Sequence, residues 1–165
     1  MFYRIILIFS LIITPLKSFE QKKGFNIESS VDYNFHYREF FNKYYLGNTY
    51  RNWNFNLGFG YGVNTLLNTS RLFYSIPVSL NKSFNIGKNS KMAPLINFSL
   101  YGYKSVVRHT IFCFQIGYEF TYGHKLKFVQ RLSGGTNLEQ YKGNSHSWNL
   151  FILNAEFSLG LKYEL

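Results

Sequence analysis

The residues from Phe151 to Leu165 sort by parity. Phe151, Leu153, Ala155, Phe157, Leu159, Leu161, Tyr163 and Leu165 fall on one side, and Asn154, Glu156, Ser158, Gly160, Lys162 and Glu164 on the other. Successive side chains of an extended strand point to opposite faces, so a period of two divides them cleanly, whereas a helix would spread the charges around its axis. A chain ending this way is committed to a sheet with two unlike faces.

The same period recurs along the chain. Trp53, Phe55, Leu57, Phe59, Tyr61 and Val63 alternate with Asn54, Asn56, Gly58, Gly60 and Gly62, and Phe112, Phe114, Ile116, Tyr118 and Phe120 with Cys113, Gln115, Gly117 and Glu119. Phe25, Ile27, Val31, Tyr33, Phe35 and Tyr37 oppose Asn26, Glu28, Ser30, Asp32 and His36. Further apolar faces are Leu72 to Leu80, Ile96 to Leu100, and Leu126, Phe128 and Leu132, the last broken by Gln130. These runs predict seven strands over 25–37, 50–63, 71–83, 92–103, 110–121, 124–133 and 147–165. Turn residues lie between them, at Leu46-Gly47-Asn48, Asn64 to Ser70, Asn85 to Ser90, Thr121-Tyr122-Gly123 and Gly134 to Ser145.

With 165 residues there is room for one domain. Aromatic residues at 21% and charged residues at 16% exclude a disordered chain. The single cysteine, Cys113, excludes a disulfide scaffold, and one Cys with four scattered His residues argues against a zinc module. The net charge of +10 has no basic cluster behind it. Its longest run is Lys22-Lys23, and Lys43, Arg51, Lys82, Lys88, Lys91, Lys104, Arg108 and Lys142 stand singly at the ends of apolar runs. That pattern fits loops flanking strands beside anionic lipid headgroups, and no nucleic-acid partner is expected.

The first 18 residues, MFYRIILIFSLIITPLKS, place Arg4 before an apolar stretch from Ile5 to Ile13. The stretch is too short for a spanning helix, which needs ~20 apolar residues. It fits a secretory signal peptide over 1–18, leaving a domain over 19–165.

The character of the polar face separates a soluble barrel from a membrane one. It is rich in Gly, Asn and Ser and carries mixed charges, namely Glu28, Asp32, Glu119, Lys127, Arg131, Glu156, Lys162 and Glu164. Small groups and opposite charges suit the crowded inside of a narrow barrel. The aromatic and leucine-rich face suits a lipid surround, and a closed barrel alone satisfies its backbone there. A secreted lipocalin-like barrel, with the apolar face as its core, is the soluble alternative. Outer-membrane barrels of single chains have an even number of strands. Parity places an eighth, weakly patterned strand at Glu39 to Leu46, both termini on the periplasmic side, and Gly134 to His146 as an external loop. Eight strands leave an interior that side chains fill, so no open pore is expected.

Tyr74-Ser75-Ile76-Pro77-Val78, Phe114-Gln115-Ile116-Gly117-Tyr118-Glu119-Phe120 and the ending Phe157-x-Leu159-Gly160-Leu161-x-Tyr163 resemble the small outer-membrane β-barrel domain family of Gram-negative bacteria, porin-like and OmpA-type, over roughly 24–165. The resemblance implies an all-β, eight-stranded antiparallel transmembrane up-and-down barrel in the bacterial outer membrane. It implies contact with outer-membrane lipids including lipopolysaccharide. It also implies that the barrel-assembly machinery reads the last strand through Phe157, Leu159, Leu161, Tyr163 and Leu165, the final residue standing where the family's signal has Phe.

Catalytic patterns are sparse. Some barrels of this kind trim lipid A with a His-x-Ser pair and a later Glu. Here His146 is followed directly by Ser147, and adjacent strand residues face opposite ways. Glu156 lies ten positions further on, about 33 Å along a strand. His36 alternates with inward groups and is expected as an interior hydrogen-bonding residue, with His109 and His124 at strand ends. Gly58, Gly60 and Gly62 are small interior positions, since no helix follows to make a phosphate loop. Cys113 is expected as a packed interior thiol. Glu28, Asp32, Glu119, Lys127, Arg131, Glu156 and Lys162 are expected to form a structural interior charge network. The function expected is a monomeric, non-catalytic envelope protein without cofactor or metal. Adhesion or ligand binding through Arg108-His109 and the 134–146 loop, and lipid A modification, are the alternatives.

Overall fold

The computed structural model describes residues 24–63, 73–103, 108–142 and 147–165. The expected signal segment, the Asn64 to Ser70 turn and His146 lie outside them. The strands are β1 (Gly24–Asn34), β2 (Glu39–Tyr50), β3 (Trp53–Val63), β4 (Phe73–Lys82), the two-residue β5 (Phe84–Asn85), β6 (Ser90–Tyr103), β7 (Arg108–Gly123), β8 (Leu126–Lys142) and β9 (Ser147–Glu164). Sequence neighbours pair antiparallel, β4 pairs with β6, and β9 returns to β1 from Asn26 opposite Glu164 to Asn34 opposite Glu156. Among the described residues, eight long strands therefore close into one up-and-down barrel, each paired on both sides. Only β5 stands outside the ring, paired to β6 alone.

The alternation settles which face is which. Ile27, Tyr44, Phe59, Ile76, Phe98, Ile116, Leu132 and Leu153 all point outward and are exposed, one from each wall strand. Asn26, Glu28, Ser30, Asp32, Asn56, Ser75, Asn97, Gln115, Asn137 and Glu156 are buried inside. The apolar residues are thus not the core, and the soluble barrel with an apolar interior does not describe this chain. A soluble monomer rarely exposes apolar patches beyond a few hundred Å2. Here the apolar surface encircles the wall.

Several boundaries differ from the sequence expectation. β1 stops at Asn34 because its side-chain Oδ1 accepts from the backbone N–H groups of His36 and Tyr37, at 3.1 and 3.0 Å, and turns the chain. Leu46-Gly47-Asn48 is not a turn. β2 continues to Tyr50, and a Cβ at Gly47 would fall 2.1 Å from Asn56 Oδ1, so the glycine makes room for interior amides. The turn is Arg51-Asn52, with φ of 46° and 69°, the left-handed pair of a tight hairpin. β7 runs through Thr121-Tyr122-Gly123, and its turn to β8 is His124-Lys125.

The largest departure is the expected external loop over 134–146. β8 extends to Lys142 in continuous register with β7 and β9, so residues 134–142 are wall. Gly135 is packed where a Cβ would lie 1.9 Å from the Phe114 carbonyl oxygen, and Asn137 and Glu139 turn inward beyond it. β8 and β9, with 17 and 18 residues, are the longest strands among the described residues.

Candidate functional site

The chemistry of this chain is concentrated inside the barrel, where inward positions stack in layers. Nearest the end bearing Gly24, Lys127 pairs with Glu164. In the next layer Arg131 forks between two carboxylates. Its Nη1 and Nη2 donate to Glu28, the latter at 2.6 Å, and its Nε donates to Glu119 Oε2 at 2.7 Å. Lys162 Nζ stands 3.9 Å from Glu28 and 3.8 Å from Glu119. The Arg131 guanidinium also lies 5.3 Å from the centre of the Tyr45 ring, a cation–π contact toward the following layer.

That following layer is centred on Lys43. Its Nζ lies 2.7 Å from Asp32 Oδ2 and 2.6 Å from Glu156 Oε1. Tyr101 donates its hydroxyl to Glu156 Oε2 at 2.8 Å, and Ser30 donates to Asp32 Oδ1 at 2.6 Å. Across the two middle layers three cations face four carboxylates, all buried. Burial makes each charge costly unless it is paired and hydrogen-bonded, and here every one has a partner. Between Asp32, Tyr45, Arg131 and Glu156 the remaining space is a cavity of ≈ 10 Å3, about the room of one water.

Toward the opposite end the interior changes character. Phe41, Tyr101, Ile111 and Cys113 form a small apolar cluster, with the Phe41 and Tyr101 rings 5.2 Å apart edge-on. Above it Glu139 accepts from the Tyr37 and Tyr141 hydroxyls at 2.5 Å each, and Asn137 donates to the Tyr37 oxygen at 3.0 Å. Tyr37 sits in the β1–β2 turn, where burial and the adjacent Glu139 push its hydroxyl pKa upward. His36 lies beside it in the same exposed turn, its Nε2 3.6 Å from Glu139, rather than within the barrel interior.

The structure therefore draws together Glu28, Glu119, Arg131 and Lys162 in one layer and Asp32 and Glu156 in the next, while Lys127 stands apart with Glu164. Cys113 is buried and free, with Asn154 Nδ2 donating toward its sulfur at 3.7 Å. Three interior groups escape the sequence reading. Lys43, grouped there with the flanking basic residues, is fully buried at the hub of a layer. Glu139 belongs to wall rather than loop, and Glu39 is buried at the start of β2. The signal for Lys43 is its parity with Phe41 and Tyr45, opposite Phe40, Tyr44 and Leu46.

Fold and interior together define a class: a closed eight-stranded antiparallel barrel turned inside out, apolar on the wall and charge-bonded within. Solved structures that share this fold include proteins of the bacterial outer membrane. The N-terminal β-barrel domain of Pseudomonas aeruginosa OprF matches at 11% identity with a TM-score of 0.57, covering 86% of this chain and 97% of that one. Neisserial surface protein A matches at 13% identity and 0.56, covering 87% and 97%. The outer-membrane enzyme PagL matches at 11% identity and 0.50, covering 84% and 98%. No family model and no curated protein matches the sequence.

Proposed function

We propose that this chain is an integral protein of the bacterial outer membrane with a non-catalytic role in envelope structure or surface presentation. One observation carries the reading. Outward side chains are apolar on every wall strand, while the interior is filled and its charges are bonded to one another. Such a wall is stable only in hydrocarbon, and a barrel so filled has no aqueous path for solutes. Residues 1–18 would direct export. The outward face of β9, with Leu159, Leu161, Tyr163 and Leu165 exposed and Phe157 half-buried, would be read by the assembly machinery and then contact lipid, lipopolysaccharide included. The sealed ring calls for no second copy, so a monomer is expected.

PagL shares the fold and is an enzyme. The carboxylate that lipid A chemistry would require of this chain, Glu156, is turned inward and held by Lys43 and Tyr101. That favours the non-catalytic reading.

The test is membrane fractionation with gel migration of unheated and boiled samples. A fast outer-membrane band that shifts on boiling is expected, and a soluble, unshifted protein would overturn membrane insertion. Deletion should sensitise the envelope without changing lipid A. Altered lipid A on overexpression, lost in His146→Ala, would replace the structural role by an enzymatic one.

A further inference from the structure

The two middle layers of the barrel differ in charge balance. Arg131 and Lys162 face Glu28 and Glu119, two cations against two carboxyl groups. Lys43 alone faces Asp32 and Glu156, one cation against two. Both carboxyl groups are buried, so water cannot screen the excess. A buried charge without a counter-charge is so costly that the group neutralises instead.

The geometry of the pair says how. The Asp32 and Glu156 carboxyl groups lie within hydrogen-bonding reach of each other. An ionised carboxylate only accepts, so a hydrogen bond between two carboxyl groups needs a proton on one of them. Two carboxyl groups sharing one site do not both ionise. The pair is faced by Lys43 and Tyr45 on β2, Tyr101 on β6, Cys113 on β7 and Arg131 on β8. Lys43 is the one cation bonded to the pair, since the Arg131 guanidinium is taken by Glu28 and Glu119. A metal cation is a poor substitute for the proton. Among the described residues no group of three carboxylate, His or Cys side chains could hold one, and the one-water cavity beside the pair has Arg131 in its lining.

The pair also has a telling position. Asp32 lies on β1 opposite Ser158, and Glu156 on β9 opposite Asn34. These are the first and last strands, and their pairing is the seam that closes the barrel.

We propose that Asp32 and Glu156 hold one proton between them, a clasp across the closing seam that makes the barrel pH-sensitive. In the unfolded chain both carboxyl groups ionise near pH ~4. At neutral pH the folded barrel therefore binds one more proton than the unfolded chain, and its stability falls as pH rises. The clasp depends on the closed barrel alone and goes beyond the envelope role.

The test uses the full-length protein folded in an ester-free zwitterionic detergent. Infrared spectra at neutral pH should show the C=O stretch of a protonated carboxyl group, lost in Glu156→Gln and equally in Asp32→Asn, because the carboxyl group left behind ionises against Lys43. Urea unfolding between about pH 6 and pH 9 supplies the second readout. Relative to Glu156→Gln, the wild-type unfolding constant should rise about tenfold per pH unit for as long as the clasp keeps its proton. Gln is isosteric and supplies its own N–H to Asp32, so that variant should fold, and gel migration checks it. Absence of the band from the wild type, its survival in both variants, or a ratio of unfolding constants indifferent to pH overturns the proposal. Because none of these readouts depends on cellular location, failure here leaves the membrane reading standing.

Discussion

Lys43 Nζ lies 2.7 Å from Asp32 Oδ2, and both side chains are closed to solvent. Glu156 holds the same ammonium from the other side. Removing the cation leaves two carboxylates facing each other across a dry layer, so Lys43→Met should cost about 3–5 kcal/mol of stability. Urea unfolding from lipid vesicles measures it. Adding Asp32→Asn and Glu156→Gln to Lys43→Met should recover most of that loss, because the penalty belongs to the unpaired charges and not to the missing methylene contacts.

The outer wall makes a depth-dependent prediction. Ile116 points outward near the middle of β7, and Leu126 points outward at the turn end of β8. In a bilayer, Ile116→Arg should destabilise by ~2–4 kcal/mol and Leu126→Arg by ~0–1. Equal small effects at the two positions would show that the wall faces water.

Two adjacent glycines should respond in opposite ways. A Cβ on Gly134 would meet nothing nearer than the Asn154 carbonyl oxygen at 3.7 Å, an ordinary contact. Gly134→Ala should be neutral or stabilise by up to about 1 kcal/mol through reduced freedom of the unfolded chain. A Cβ on Gly135 would fall 1.9 Å from the Phe114 carbonyl oxygen and 2.8 Å from Gln115 Cα, backbone that cannot step aside. Gly135→Ala should cost at least ~1–3 kcal/mol, visible as loss of the heat-shifted gel band.

The Arg51-Asn52 turn holds two side-chain-bearing residues at positive φ. Arg51→Asn with Asn52→Gly installs the pair that prefers this geometry and should raise stability by about 1 kcal/mol, read as a higher urea midpoint.

How far the sequence spoke depended on contrast between the two faces. β9 alternates strongly and is legible end to end, whereas β3 and β7 are as legible along their length but not at the Arg51-Asn52 turn or through Thr121 to Gly123. β2 is faint because Asn42 sits outward and Phe41 inward, so the sides of the strand differ little in polarity. For the same reason Lys43 reads as a flanking charge. The far half of β8 is masked by Gly134-Gly135, turn chemistry when taken locally. The structure shows what local reading lacks, the Phe114 backbone pressing on Gly135 from the neighbouring strand. Of the interior carboxylates, Glu28, Asp32, Glu119 and Glu156 could be named from parity, while Glu39 and Glu139 could not. Their division into separate layers could not, because layer membership depends on the stagger between strands far apart in sequence, such as Glu28 and Arg131.

The long β8–β9 pairing has a consequence for how this end of the barrel meets its surroundings. The two strands stay in register from Leu126 opposite Tyr163 to Lys142 opposite Ser147, so the hairpin is backbone-bonded sheet along its whole described length. Tyr141 and Trp148 stack across it with ring centres 5.1 Å apart. A large molecule that approaches along this hairpin meets a stiff two-stranded parapet faced with two flat rings.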